Sequence, residues 1–159
     1  VRITICAVGR LKAGPEKTLI DDYLTRFDRI GRALALGPAQ IIEIDERKGG
    51  GMSGEAELLR RALPDGSLIC TMDERGRTLS SPGFAKRLAG WRDDGCRDLA
   101  LLIGGADGLD PSLRAKADFS LSFGTMVWPH MLVRVMLSEQ LYRAANILAG
   151  GTLPQGVAQ

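Results

Sequence analysis

The chain has 159 residues, 45% of them hydrophobic and 25% charged, with a formal net charge of +2. That is about one domain's length, long enough to bury a core without staples, and too nearly neutral for overall charge to name a polyanionic partner. Three cysteines with no C-x-x-C spacing and a single histidine argue against a disulfide framework or a zinc site. No apolar run approaches the roughly 20 residues that span a bilayer, so the reading is one soluble cytoplasmic domain over residues 1–159, with no membrane and no metal.

Strand-like runs alternate with helical patterns along the chain, which predicts a mostly parallel sheet with helices on its faces. Val1 to Val8 is the first strand, too early to leave room for a signal segment. Its exit loop, Gly9 to Gly14, leads to Pro15 at a first helical position, and Leu19, Tyr23, Phe27 and Ile30 make an apolar stripe. Gln40 to Ile44 is the second strand. Asp45 to Met52 reads as a basic, glycine-rich loop, with Ser53 placed to cap a short helix carrying Leu58, Leu59 and Leu63. Ser67 to Met72 is the third strand, ending in a turn from Asp73 to Arg77. Ser81 before Pro82 starts a helix through Phe84, Leu88 and Trp91. Asp98 to Gly104 is the fourth strand, Asp110-Pro111 opens a short helix, Asp118 to Phe123 is the fifth strand, and Met131 to Leu148 closes the chain. Cys6 and Cys70 fall in strand-like runs and read as small core residues.

Two stretches carry the chemistry. In Asp98 to Gly108, DLALLIGGADG, an apolar run without polar alternation marks a strand covered on both faces. Gly104 and Gly105 then strip side chains from its carboxyl end, where open α/β sheets bind ligands. In Ser120 to Ala144 a strand gives way to a bare turn at Gly124 and Thr125, then Trp128-Pro129-His130 and a long helix. The exits of strands three, four and five therefore point to one pocket, rich in backbone donors and acceptors and suited to an adenosine-containing ligand. A dinucleotide fingerprint, a phosphate-binding loop and a nucleophile elbow are all missing from the order of residues. Local basic clusters at Arg10, Lys12 and Lys17, and at Arg47 and Lys48, permit a basic face without requiring one.

The opening ITICAVGRLK, the segments TMDERG and SSPGFA, LLIGGADGL, and SFGTMVWPHMLVRVMLSEQLYRA together resemble the ribosomal RNA large-subunit methyltransferase H family of the SPOUT superfamily. These are the 23S rRNA pseudouridine N3-methyltransferases, and the likeness spans nearly the whole chain. It implies an α/β fold whose C-terminal part is threaded as a trefoil knot, a homodimer, S-adenosyl-methionine as cofactor, and 23S rRNA in the large subunit or assembled ribosome as partner. Position by position, the implied cofactor contacts are Met72, Gly104, Phe123, Gly124, Thr125, Met126, Val127 and Trp128.

Chemistry and RNA contact fall on His130, Arg134, Tyr142 and Arg143. At helical spacing Arg134, Ser138 and Tyr142 share a face that could present donors to a nucleotide, while Glu139 and Arg143 stand in the favourable order for an ion pair. In methyl transfer to a ring nitrogen, His130 would accept the imide proton and Arg134 stabilise the anionic base. Arg134→Ala is then expected to lose methylation and keep cofactor affinity. The chain departs from the family in its end: after Gly150 it runs GTLPQGVAQ, without the Tyr-His-Arg tail of its relatives. Two alternatives follow, a cofactor-binding, ribosome-associated protein with lost turnover, or a SPOUT enzyme acting on another RNA.

Overall fold

The computed structural model describes residues 1–45 and 51–151. The basic pair Arg47 and Lys48, and the divergent end from Thr152 onward, lie outside the described residues. Five strands, β1 (Arg2–Val8), β2 (Ala39–Ile44), β3 (Leu68–Thr78), β4 (Asp98–Ile103) and β5 (Phe119–Ser122), form one sheet in the order β2-β1-β4-β3-β5 with every pairing parallel. Register links Ile41, Ile5, Leu101, Cys70 and Phe119 in a row across all five. β4 sits in the middle with all six residues buried, which is why its sequence shows no polar alternation.

Successive side chains of a strand point to opposite faces, and the two faces make two cores. Ile3, Ile5, Ala7, Leu99, Leu101 and Ile103 pack with helices α1 (Pro15–Gly31), α3 (Ser81–Asp93) and α5 (His130–Leu148). Cys6, Val8, Ala100 and Leu102 pack with α2 (Gly51–Ala62) and α4 (Pro111–Lys116). Each fully buried Leu or Ile contributes about 1.5–3 kcal/mol, so the doubly covered β4 anchors both layers. The chain leaves β3 towards one face and β4 towards the other, and neighbouring exits that diverge in this way open a crevice at the carboxyl end of the sheet.

Three expectations are corrected. The buried stripe of α1 is Ile20, Leu24, Phe27 and Gly31, leaving Leu19 44% exposed, because the helix is rotated by one position to meet both the sheet and α5. Ser53 is an exposed residue inside α2 rather than its cap. α3 does start at Ser81, and Ser80 caps it, its Oγ accepting from the Gly83 amide at 3.0 Å. Finally, the predicted turn at Asp73 to Arg77 is extended: β3 runs on to Thr78 through an irregularity between Met72 and Arg77, with Leu121 of β5 paired to both ends of it. Gly76 permits that close pairing, since a Cβ there would lie 2.6 Å from the Ser120 carbonyl oxygen.

Candidate active site

The irregularity of β3, at Met72 to Arg75, and the exits of β4 and β5 converge on a cavity of about 490 Å³, so the expected contribution of a strand-three exit comes instead from within the strand. After β4 the chain closes a tight turn in which the Gly108 amide donates to the Gly105 carbonyl at 3.0 Å. A Cβ on Gly104 would fall 2.5 Å from the Gly108 carbonyl carbon, so the turn itself demands glycine there. At the end of β5, Ser122 Oγ lies 3.0 Å from the Glu74 carbonyl oxygen and 2.8 Å from that of Gly124, and accepts from the Gly124 amide. One hydroxyl thus ties the β3 irregularity to the β5 exit. Trp128 folds back over the same loop, its Nε1 donating to the Phe123 carbonyl at 3.4 Å.

Met72, Gly104, Phe123, Gly124, Met126, Val127, Trp128 and His130 all line this cavity. Thr125 lies in the same loop, exposed, and is outside the lining. Met126 and Val127 are 72% and 77% exposed, so they form a rim rather than a floor. Sequence reasoning missed Asp73, Asp107, Leu109 and Val133, which also border the space. The signal for Asp73 was its place directly after an apolar strand. Burial raises the Asp73 carboxyl, but the Arg75 amide and guanidinium, with Arg114 behind, outweigh it and hold the group below its ordinary value. Asp73 Oδ1 accepts from Arg75 N at 3.0 Å and Nε at 3.1 Å.

Arg134 is placed elsewhere. It is fully buried, with Nη1 donating to Glu43 Oε2 at 2.8 Å and Nη2 to the Val8 and Gly9 carbonyls at 2.9 and 2.8 Å. Its neighbourhood is a second cleft of about 390 Å³ between α1 and β2, lined also by Asp21, Asp28 and Glu43. Of the three residues on the face Arg134 shares with Ser138 and Tyr142, Arg134 and Ser138 are turned inward. Ser138 is fully buried and donates to the Arg134 carbonyl at 2.7 Å, and the Tyr142 ring stacks on Tyr23 with centroids 6.0 Å apart. Arg143 donates from Nε to Glu139 at 2.7 Å, as the spacing of the two predicts. What joins Arg134 to the site is the β1 exit: a Cβ on Gly9 would meet Arg134 Nη2 at 3.6 Å and His130 Cε1 at 3.7 Å.

A sheet with a ligand-sized cavity at its carboxyl ends is common to many α/β enzymes, and comparison with known proteins narrows the field. The family model described as "Predicted SPOUT methyltransferase" matches residues 1–152. The chain belongs to the SPOUT methyltransferase family. Among curated relatives it is 72% identical to the ribosomal RNA large subunit methyltransferase H of Ruegeria pomeroyi and 73% identical to that of Roseobacter denitrificans. Each match runs over 150 residues, 94% of this chain and 96% of the relative. A solved structure described as a probable methylase family protein from Haemophilus influenzae Rd KW20 superposes with a TM-score of 0.53, covering 96% of this chain and 70% of that one. At 12% identity that likeness establishes the fold alone. The SPOUT fold implies the threaded C-terminal part. The chain is therefore an enzyme of a methyl-transferring family.

Proposed function

We propose that this SPOUT methyltransferase moves the methyl group of S-adenosyl-methionine to N3 of a pseudouridine in 23S rRNA, on the large subunit or assembled ribosome in the cytoplasm, as a homodimer. The observation that carries the reading is the convergence of Met72, Gly104, the Phe123 to Trp128 loop and His130 on one cavity. The relatives named as ribosomal RNA methyltransferases support the RNA class. The exposed apolar run through Met126, Val127, Trp128, Met131 and Leu132 favours a second copy of the chain covering this rim.

The residues present fit the cofactor. A cavity of about 490 Å³ falls in the range of about 300–1,000 Å³ usual for small-molecule sites. Its walls supply apolar carbon from Met72, Ile103, Leu109, Leu121, Phe123 and Val133 for a purine, and peptide groups around Gly104 and Gly124 for its polar edge. Asp73, a carboxylate held by Arg75 and Arg114, also borders the cavity. When bound, the cofactor would supply a methyl already activated by its sulfonium. The protein's task is then to orient donor and acceptor and to relieve the acceptor of a proton. His130, half-buried at the first position of α5 and facing the cavity, is the proton acceptor we assign. Arg134 is a positioning residue: through Val8 and Gly9 it holds the loop against which His130 rests. Tyr142 and Arg143 are left out of the assigned substrate contacts because the Tyr142 ring is packed against Tyr23 and Arg26 of α1 and Arg143 is paired with Glu139 in α5.

Incubating the purified protein with a labelled methyl donor and ribosomes lacking the modification tests the reading. Label in large-subunit rRNA, mapped to a pseudouridine, is the expected result. Cofactor binding without incorporation would favour the ribosome-associated binding protein, and label in transfer RNA would redirect the enzyme to another substrate.

A further inference from the structure

We infer that the β1 exit loop, Gly9 to Gly14, is a rigid basic lip that grips the phosphodiester backbone of the RNA beside the target nucleotide, with Arg10 and Lys12 as its contacts. The inference deepens the rRNA reading above and rests on it for the identity of the RNA.

The end of β1 and the first residues of the loop are pinned at three points. The Val8 and Gly9 carbonyls accept from Arg134 Nη2 at 2.9 and 2.8 Å, and the Leu11 amide donates to Glu43 Oε2 at 2.7 Å, the same oxygen that receives Arg134 Nη1. Gly9, at φ +95°, makes the bend that lets the loop lie on α5. The pinned residues alternate with Arg10 and Lys12, whose side chains are exposed. Such a loop presents its charges without first having to be ordered, which favours binding.

Position and charge agree. Gly9 abuts His130, which lines the cavity, and Arg10 follows it one Cα step of about 3.8 Å later. Most other cations around this end of the protein are engaged: Arg75 and Arg114 pair with Asp73, and Lys17 pairs with Asp21 at 3.0 Å. Among the described residues, Arg10 and Lys12 enter no ion pair. Phosphate contacts of this kind fix the register of a nucleic acid and leave base choice to the pocket. Glu43 and Arg134 act through the loop and are its positioning residues.

The test is the salt dependence of RNA binding, read by fluorescence anisotropy on a labelled hairpin of large-subunit rRNA, alongside methylation of large subunits. The double variant Arg10→Ala, Lys12→Ala should flatten the slope of log affinity against log salt by about 0.7–0.9 per side chain lost. KM for large subunits should rise, with kcat within about twofold and affinity for S-adenosyl-homocysteine unchanged. Lys17→Ala makes the same formal charge change at each removal but lifts a paired cation, and should leave the slope as it was. The assignment is overturned if the double variant keeps the wild-type slope, if Lys17→Ala flattens it equally, or if cofactor affinity falls in step. A wild-type protein that methylates no RNA, with the double variant still flattening the slope as described, would sink the rRNA reading and leave the lip standing.

Discussion

Replacing Arg134 separates folding from chemistry, because the side chain is wholly buried and its fork meets three oxygens. Arg134→Ala removes most of a long side chain from the interior, where large-to-small changes cost about 2–5 kcal/mol. It also strips a donor from the Val8 and Gly9 carbonyls, and a buried polar group left unmet costs about 1–3 kcal/mol. Glu43 is 31% exposed, so its freed carboxylate rehydrates and adds little. Water entering the adjoining 390 Å³ cleft serves the carbonyls in part, which brings the sum to about 3–5 kcal/mol, as for a broken buried pair. At about 2–4 °C per kcal/mol for a chain of this size, Tm should fall on the order of 10 °C. Arg134→Lys keeps the charge but not the fork and should lose about half as much. Scanning calorimetry and urea titration measure both variants, with methylation and cofactor binding assayed at a temperature where each is folded. A drop in Tm below about 2 °C for the alanine variant, with methylation abolished, would refute the structural account and return Arg134 to the substrate.

At the cavity, Gly104→Ala must push a methyl into the Gly108 peptide at 2.5–2.6 Å, so the turn opens. S-adenosyl-homocysteine affinity should fall at least tenfold in calorimetry, while β4 and the core keep Tm within a few degrees; unaltered affinity would detach this turn from the site. The thiols of Cys6 and Cys70 are both pushed up by burial from 9.0 to about 12. Native thiols stay protonated while unfolded ones ionise, so their contribution to stability is complete below about pH 9 and is lost progressively towards about pH 12. Each should add about 1.4 kcal/mol per pH unit to the alkaline decline. Cys6→Ala and Cys70→Ala should each flatten urea midpoints measured from pH 9 to 10.5, and identical slopes in wild type and variants would contradict it.

Much of the fold is legible along the chain because its signals are local. Pro15 at a helix start, the unbroken apolar run of β4 and the Asp110 cap of α4, whose Oδ1 accepts from Ser112 N at 2.8 Å, each depend on a few neighbouring residues. The cavity residues are legible for the same reason: strands that end in Gly104 and in Phe123-Gly124 declare bare exits, and parallel strands put their carboxyl ends on one side. Asp73 was missed although its main partner, Arg75, is two residues away; only the weaker pull of Arg114, some forty positions off, lies beyond local reading.

Arg134 shows where such reading stops. In sequence it is a cation in an apolar helix, equally fit for a phosphate or for the interior. Its partners, Glu43, Val8 and Gly9, lie 91 to 126 residues away and become partners only when α5 crosses beneath the sheet to the end of β1. The one-position rotation of α1 and the run of β3 past Met72 have the same origin, since helix faces and strand ends yield to whichever neighbour covers them. Periodicity and chain punctuation are short-range properties and can be read from residues in order. The meeting of a guanidinium with carbonyls more than a hundred residues off depends on the path of the whole chain, which no stretch of residues encodes alone.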